Sequence, residues 1–170
     1  MAGVWALGCQ LVCANPDCTE LAVVEGRTQV KLNRSTISGS GSGVFASCGA
    51  EVAIQKSTVA NNGSGALVSS TYWFDESHYS SVASSFDAHE TIFAGNTNWG
   101  VISYDSWLML GSIDDPGRNS FLSNSPGSIA NVSSNPVLAQ WNWFGTANAV
   151  AIASTIGGDV TYEPFLRRAP

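Results

Sequence analysis

The sequence predicts an all-β fold in which the chain winds as a solenoid, and two observations support this prediction. One pattern occurs twice: residues 30–44 are followed 22 residues later by the similar residues 52–66. In addition, 12% of the residues are charged and 44% are hydrophobic, which suits stacked sheets better than amphipathic helices with charged outer faces. Self-similarity at a period of about 20 residues, punctuated by Gly, Ser and Asn, is typical of a β-solenoid.

The two copies of the pattern predict the first two coils of the solenoid. Within each predicted strand the side chains alternate, so that Val30 and Leu32 point inward while Lys31 points outward. Strands are predicted at residues 21–24, 29–32 and 36–37 in the first coil, and at 44–45, 51–54 and 58–59 in the second.

The later coils keep the pattern while their outer loops lengthen. A third coil is predicted at residues 65–68 and 85–92 around an insertion at 70–80, a fourth at 99–110 and 119–124, and a fifth within 129–145. We expect one inward position to be held in successive coils by Ile37, Val59, Ile92 and Phe121. Asn or Ser side chains are expected to hold the turns that follow this position.

The repeat pattern also divides the chain. Residues 1–20 match it poorly and are interpreted as an N-terminal cap or an incomplete first coil. The solenoid is predicted to span residues 21–166, and residues 167–170 form a short tail. Because a solenoid ends in unpaired strand edges, end-to-end association of two copies is expected unless the cap covers the first coil.

The four cysteines, Cys9, Cys13, Cys18 and Cys48, allow three interpretations. A zinc site usually has paired cysteines two residues apart, and the gaps here are wider. A disulfide that includes Cys48 fits the sequence, as do buried free thiols, and free thiols are the default expectation.

Three segments of the C-terminal half carry a family resemblance. They are Pro-Gly-Arg-Asn-Ser-Phe-Leu-Ser-Asn at 116–124, Ala-Gln-Trp-Asn-Trp-Phe-Gly at 139–145 and Val-Thr-Tyr-Glu-Pro-Phe-Leu at 160–166. In this order they resemble the C-terminal coils of right-handed parallel β-helix repeat proteins, the pectate-lyase-like superfamily. The resemblance implies a single-stranded right-handed parallel β-helix of about five to six coils. It also implies an extracellular or cell-surface location, although residues 2–12 form no convincing signal peptide.

The resemblance implies two classes of function. Members of the superfamily include polysaccharide lyases and glycoside hydrolases, which use clustered aspartates or calcium-binding carboxylates with a basic residue, and proteins that only bind. The clusters of the enzymes are not recognisable in this sequence. We therefore expect a non-catalytic domain that binds an oligosaccharide, a polysaccharide or a protein surface. The alternative is a minimal polysaccharide lyase or glycoside hydrolase acting on acidic glycans.

The insertion at residues 70–80 is the first candidate site, because long loops in a compact repeat often carry function. Its aromatic rings suit stacking on sugars, and its acidic side chains suit hydrogen bonds to hydroxyl groups. The ligand-binding candidates are Tyr72, Trp73, Asp75 and Glu76, and His78 is a weak catalytic candidate. In the alternative interpretation Trp73 and Phe74 shield one flank of the solenoid.

A second group of candidates lies on the strands that follow the insertion. Asp87 and His89 share one face of a strand and form a weak candidate pair for general acid–base chemistry. Asp105 and Trp107 of the next coil are added as ligand-binding candidates. In the alternative interpretation all of these are solvated outward side chains.

Cofactors and other partners are only weakly indicated. Asp114 and Asp115 precede Pro-Gly and either bind calcium or belong to an ordinary turn; no other cofactor is expected. The net charge of −6 and the absence of a long basic stripe argue against nucleic acid. No apolar run approaches the roughly 18 residues of a membrane span.

Overall fold

The fold of the chain is all-β, with 45% of residues in strands and 3% in helix. The computed structural model describes residues 3–13 and 21–170, with side chains described outside residues 11–24. Cys18 and part of the predicted cap lie outside the described residues, and so does the side chain of Cys13. The predicted domain boundary at residue 20 therefore stays a prediction.

In residues 3–13 and 21–170, twenty short strands and one helix follow one another. The first ten strands are β1 (Val4–Leu7), β2 (Cys9–Cys13), β3 (Leu21–Glu25), β4 (Gln29–Asn33), β5 (Thr36–Ser38), β6 (Ser42–Ser47), β7 (Glu51–Gln55), β8 (Thr58–Ala60), β9 (Ser64–Ser69) and β10 (Thr71–Trp73). The remaining elements are β11 (Tyr79–Ser81), β12 (Ser85–His89), β13 (Ile92–Ala94), β14 (Val101–Tyr104), β15 (Trp107–Met109), β16 (Ser120–Leu122), β17 (Ile129–Asn131), β18 (Val137–Leu138), α1 (Ala149–Ala153), β19 (Ile156–Gly157) and β20 (Val160–Thr161).

Sixteen of these strands form three parallel sheets. Sheet I has the order β1-β6-β9-β14-β17-β19, sheet II the order β4-β7-β12-β15-β18-β20, and sheet III the order β5-β8-β13-β16. The chain visits sheets I, II and III in turn and then returns to sheet I one strand further along; we call one such pass a circuit. A bridge between Ser120 and Trp143 extends sheet III by one more step.

The pairing of β4 with β7 confirms the 22-residue repeat. Val30 lies beside Val52 and Leu32 beside Ile54, while Ile37 of β5 lies beside Val59 of β8. The residues of one sequence copy therefore stack on the same residues of the next. This register keeps the large apolar side chains of these strands on the core side, whereas a one-residue slip would turn them to solvent.

One predicted inward position is wrong. Phe93, and not Ile92, lies between Val59 and Phe121 in sheet III. Ile92 lies beside Thr58 and is 39% exposed. Since side chains alternate along a strand, only one member of the Ile-Phe pair can face the core.

A column of aromatic rings fills the core behind sheet III. Phe121 stacks on Phe93 with ring centroids 5.2 Å apart and on Phe144 at 5.4 Å, with interplanar angles of 10° and 12°. The rings of Phe144 and Tyr162 form an edge-to-face pair with centroids 6.2 Å apart. Burial of large rings in successive circuits gives the narrow core much of its apolar contact area.

Buried asparagines hold the turns between sheets III and I, as expected. The backbone amide of Asn62 donates to the side chain of Asn96, whose own amide donates to Asn124. The side-chain nitrogen of Asn96 donates in turn to the carbonyl of Val59 in the preceding circuit. This ladder satisfies backbone groups that would otherwise be buried without partners.

Two antiparallel hairpins interrupt the circuits at the connection from sheet I to sheet II. They are β2–β3, in which Cys9 pairs with Glu25, and β10–β11, in which Trp73 pairs with Tyr79. In the described part of the chain, β3 pairs with β2 in an antiparallel sheet and with no strand of sheets I, II or III. The prediction that residues 21–24 begin a coil is therefore wrong.

The expectation of free thiols is wrong for two of the four cysteines. Cys9, the first residue of β2, forms a disulfide with Cys48 in the tight turn between β6 and β7. The base of the first hairpin is therefore linked covalently to the same corner of the next circuit.

The C-terminal end of the sheets is covered by the chain itself. Asn148 caps α1 by accepting hydrogen bonds from the amides of Val150 and Ala151, and Ile152 of the helix is buried. The segment after β20 packs Tyr162 and Phe165 against the core. Among the described residues, no helix combines the length and the apolar character that crossing a membrane requires.

Candidate functional site

A groove runs over the outer face of sheet II. It consists of two adjoining hollows of about 320 and 420 Å³ that share Lys31, Ala53 and Asp87. Ala53 lies between Lys31 of β4 and Asp87 of β12 in the sheet. Its methyl group leaves space where the neighbouring strands carry long side chains, so that Ala53 forms the floor of the groove.

The walls of this groove carry polar side chains among the apolar residues of the strands. The first hollow is also lined by Gln29, Glu51 and Ser85, and the second by Asn33, Gln55 and His89. Gln29 donates a hydrogen bond of 2.7 Å to Glu51, which also lies 3.5 Å from Arg27. We refer to these two hollows together as the sheet II groove.

A third hollow, of about 490 Å³, continues the groove toward sheet I. It shares Glu51 and Ser85 with the first hollow and is lined in addition by Trp107 and Val82. Trp107 lies beside Ser85 in the sheet and is 54% exposed. An exposed indole ring therefore lies at one end of the row of hollows.

Asp87 and His89 come together at the other end. Nε2 of His89 lies 2.9 Å from Oδ1 of Asp87 and 3.7 Å from Oδ2 of Asp115. Oδ1 of Asp87 is shielded from solvent and accepts no hydrogen bond from the described residues. The pair predicted from strand alternation is thus in contact, and Asp115 joins it from another loop.

Asp114 and Asp115, for which the sequence left calcium binding and an ordinary turn as alternatives, lie exposed in the loop between β15 and β16. The amide of Asp115 donates to the hydroxyl of Ser112, and its carbonyl accepts from the amide of Ser112. These bonds are those of a tight turn. Within the described part of the chain, no group of three or more His, Cys, Asp and Glu side chains is arranged to hold a metal ion.

The second hairpin carries the other predicted site residues on two different faces. Tyr72 packs toward sheet I, with its ring 6.2 Å from Phe45 and 5.0 Å from Phe74. Trp73 points the other way and stacks on Tyr79 at 4.6 Å, with the two side chains 58% and 54% exposed. Tyr72 therefore holds the hairpin against the sheet, while Trp73 remains open to solvent.

Asp75 and His78 hold the turn of this hairpin. The carboxylate of Asp75 accepts hydrogen bonds of 2.8 Å from the amides of Ser77 and His78 and lies 2.8 Å from Nδ1 of His78. The Ser77 amide and, next, the His78 side chain lower the pKa of Asp75 below its ordinary value. Both side chains thus have a local structural role, and Glu76 beside them is exposed.

The predicted residues therefore divide between two places. Asp87, His89 and Trp107 line the hollows on sheet II, whereas Trp73 and Asp75 belong to the hairpin. Asp105 is exposed in the turn before β15, at the opposite strand end from His89.

Sequence reasoning missed Lys31, Ala53 and Asp115 as parts of the groove. Lys31 and Ala53 are equivalent outward residues of the two repeat copies, so the 22-residue period contained a signal for them. Asp115 reaches His89 from a loop whose path the repeat does not define.

In comparisons with protein-family models, curated proteins and solved structures, the chain has no match.

Proposed function

We propose that this chain is a non-catalytic carbohydrate-binding domain whose three parallel sheets form a right-handed parallel β-helix of the pectate-lyase-like kind. The cyclic order of sheets I, II and III supports the β-helix, since every circuit adds one parallel strand to each of the first two sheets. The observation that carries the function is the sheet II groove together with the third hollow, a row of hollows with polar side chains on their walls and the exposed ring of Trp107 at one end.

The chemistry of the groove suits an oligosaccharide. The apolar C–H face of a sugar stacks on an indole ring, and its hydroxyl groups pair with amide and carboxylate side chains. Trp107 supplies the ring, while Gln29, Glu51 and Asp87 supply hydrogen-bonding groups. Strands of a sheet are spaced about 4.8 Å apart, so an extended ligand crossing them meets a new outward side chain at each step. Lys31 provides a cation for a carboxylated sugar.

A matched pair of variants tests this location. Glycans are identified on an array, and their affinity is then measured by calorimetry. The Trp107→Ala variant is expected to bind them at least about tenfold more weakly than the wild type, since stacked aromatic rings dominate such sites. Trp73→Ala removes an equally exposed ring on the hairpin and is expected to bind as the wild type does. Loss in Trp73→Ala alone would move the site to the hairpin, and no binding across acidic and neutral glycans would reject the proposal.

The second candidate function is that of a minimal polysaccharide lyase or glycoside hydrolase on acidic glycans. One observation favours it: Asp87 and His89 are in contact at the end of the groove, with Asp115 beside them. General acid–base catalysis needs such a pair within reach of the substrate. Reducing-sugar and unsaturated-uronate assays test it with His89→Ala as the variant. If the wild type turns over a glycan and His89→Ala abolishes that turnover, the enzyme replaces the binding proposal. If the wild type binds glycans without turnover, the binding proposal is supported.

The compartment is part of the proposal. Disulfides persist in oxidising environments and are rare in the cytosol. The Cys9–Cys48 bond therefore supports an extracellular or cell-surface location. Mass spectrometry of the protein isolated under thiol-blocking conditions from its native source tests this, and free Cys9 and Cys48 thiols there would argue against it.

A further inference from the structure

Sheet III presents an outer face of mostly small side chains to solvent. In each of its strands β5, β8, β13 and β16 the middle residue faces the core, so the first and third residues point outward. These outward pairs are Thr-Ser, Thr-Ala, Ile-Ala and Ser-Leu in the order of the strands along the chain. Ile92 is 39% exposed, and Thr36 and Ser38 are exposed as well. The face therefore combines small polar groups with an exposed apolar side chain.

The strands of sheets III and I carry no charged residue. Asp, Glu, Lys and Arg are absent from residues 35–50, 57–74, 91–104 and 119–158. These segments include the strands of sheet III, the turns that follow them and β6, β9, β14, β17 and β19 of sheet I. The protein as a whole has a net charge of −6. Two copies that meet through sheet III therefore bring no carboxylates of these segments together, whereas contact through the acidic loops would oppose like charges.

Sheet I is uncharged too, but other parts of the chain cover some of its outer face. The ring of Tyr72 in the second hairpin lies 6.2 Å from the ring of Phe45 in β6. The indole ring of Trp99 lies beside Gly157 in β19, where an added Cβ atom would be 3.4 Å from it. Sheet III is therefore the more open part of the uncharged surface.

The two borders of the sheet III face differ in charge. The corner that precedes the sheet carries Arg34, Lys56, Glu90 and Arg118, each two residues before a strand. Lys56 and Glu90 form an ion pair there, with Nζ and Oε2 4.0 Å apart. The turns that follow the strands are uncharged. A two-fold axis parallel to the stack of strands places the charged border of one copy beside the uncharged border of the other, so that the cations of the two copies do not meet.

The same two-fold axis makes the face complementary to itself. It reverses the direction of the strands, so the first residue of each strand lies opposite the third residue of the same strand in the second copy. Ile92 then meets Ala94, and Leu122 meets Ser120, which is recessed at 5% exposure. In every strand of the sheet the larger outward residue meets the smaller one, as layers that interdigitate require.

We propose that two copies of this chain pair side by side through the outer faces of sheet III, around a two-fold axis parallel to the stack of strands. This contact differs from end-to-end association and leaves the sheet II groove open. Four strands about 4.8 Å apart, each with three residues, make a smaller face than the roughly 800 Å² per partner of a standard stable interface. The pair is therefore expected to be weak and to form at high protein concentration.

Sedimentation equilibrium of the full chain tests for the pair. The mass is expected to rise from monomer to dimer with protein concentration. Added salt is expected to strengthen association, since it screens the repulsion between two copies of net charge −6. A dissociation constant weaker than about 1 mM, or association that salt weakens, would overturn the proposal.

Charge complementation tests the two-fold geometry. Thr58→Glu and Ala60→Lys are each expected to weaken the dimer at least about tenfold, because each places an unpaired charge in the contact. A mixture of the two is expected to restore it, since Thr58 of one copy lies opposite Ala60 of the other. A mixture of Thr58→Glu with Thr58→Lys should restore it less, and equal rescue would reject this arrangement. Thr161→Glu, an exposed position on sheet II, is the matched control, and an equal loss there would assign the effect to net charge and overturn the proposal.

Methyl NMR of the wild-type protein keeps the test decisive if a variant fails to fold. The methyl shifts of Ile92 are expected to change with protein concentration, whereas those of Ile113, which is 57% exposed in the loop between β15 and β16, should stay constant. A dimer that leaves the Ile92 shifts unchanged would reject sheet III as the contact. Trp107→Ala is expected to associate as the wild type does, so that a failed glycan site and a failed sheet III contact give different results.

Discussion

Cys9 and Cys48 are joined by a disulfide that closes a loop with a sequence separation of 39 residues. Such a bond restricts the unfolded chain and typically stabilises a domain by about 2–4 kcal/mol. Reductant is therefore expected to lower the urea midpoint of the wild-type protein. A variant with both residues replaced by Ala should start at the lower midpoint and respond no further, and an equal response of that variant would assign the effect to Cys13 or Cys18.

The ring of Phe121 is expected to be the most sensitive point of the core, since it stacks on rings in two neighbouring circuits. Phe121→Ala should destabilise the protein by about 3–5 kcal/mol, measured by urea unfolding. Ile92→Ala is the matched control, because Ile92 lies outside the column, and its cost should stay below about 1 kcal/mol. A larger cost for Ile92→Ala would contradict the register of β13.

Asn96 is expected to be structural although it is polar. It is 1% exposed and bonds to Asn62, Val59 and Asn124, so Asn96→Ala leaves several buried groups without partners. The expected loss in unfolding free energy is about 1–3 kcal/mol for each such group. Asn98→Ala, two residues away on the exposed side, should cost less than about 1 kcal/mol. Similar costs for the two variants would argue against the ladder.

The hairpin turn is expected to depend on pH through Asp75. Because its pKa is lowered in the folded protein, the stabilisation is present above the ordinary aspartate pKa and is lost as the pH falls through the lower folded value. Amide chemical shifts of Ser77 and His78 should therefore report a titration below the ordinary aspartate range. His78→Ala is expected to raise that midpoint, while Glu76→Gln should leave it in place.

The repeated parts of the fold were predictable from sequence because they obey a local rule. The alternation of Val30, Lys31 and Leu32 and the 22-residue period suffice to place β4 over β7 and their core faces correctly. The rule fails where two apolar residues are adjacent, as at Ile92 and Phe93, since alternation alone does not say which one faces inward. It also fails for β3, whose strand-like composition does not reveal an antiparallel partner.

The candidate site was only half predictable for a similar reason. Asp87 and His89 were found together because they are two residues apart on one strand. The approach of Asp115 depends on a loop, and the open floor at Ala53 depends on comparing neighbouring circuits. Tyr72 and Trp73 were grouped by sequence but separated by the pleat of their strand, which sends one ring toward the sheet and the other to solvent.

The corner between sheets I and II accepts connections of very different length. Residues 48–50 turn it in one circuit, whereas residues 70–84 make the same connection in the next and include a whole hairpin. The strands on either side keep their pairing, as Phe86 still lies beside Val52. This corner is therefore the place where a foreign peptide or a small domain can be grafted without disturbing the core, and a chain built on such circuits can diversify there while its scaffold stays constant.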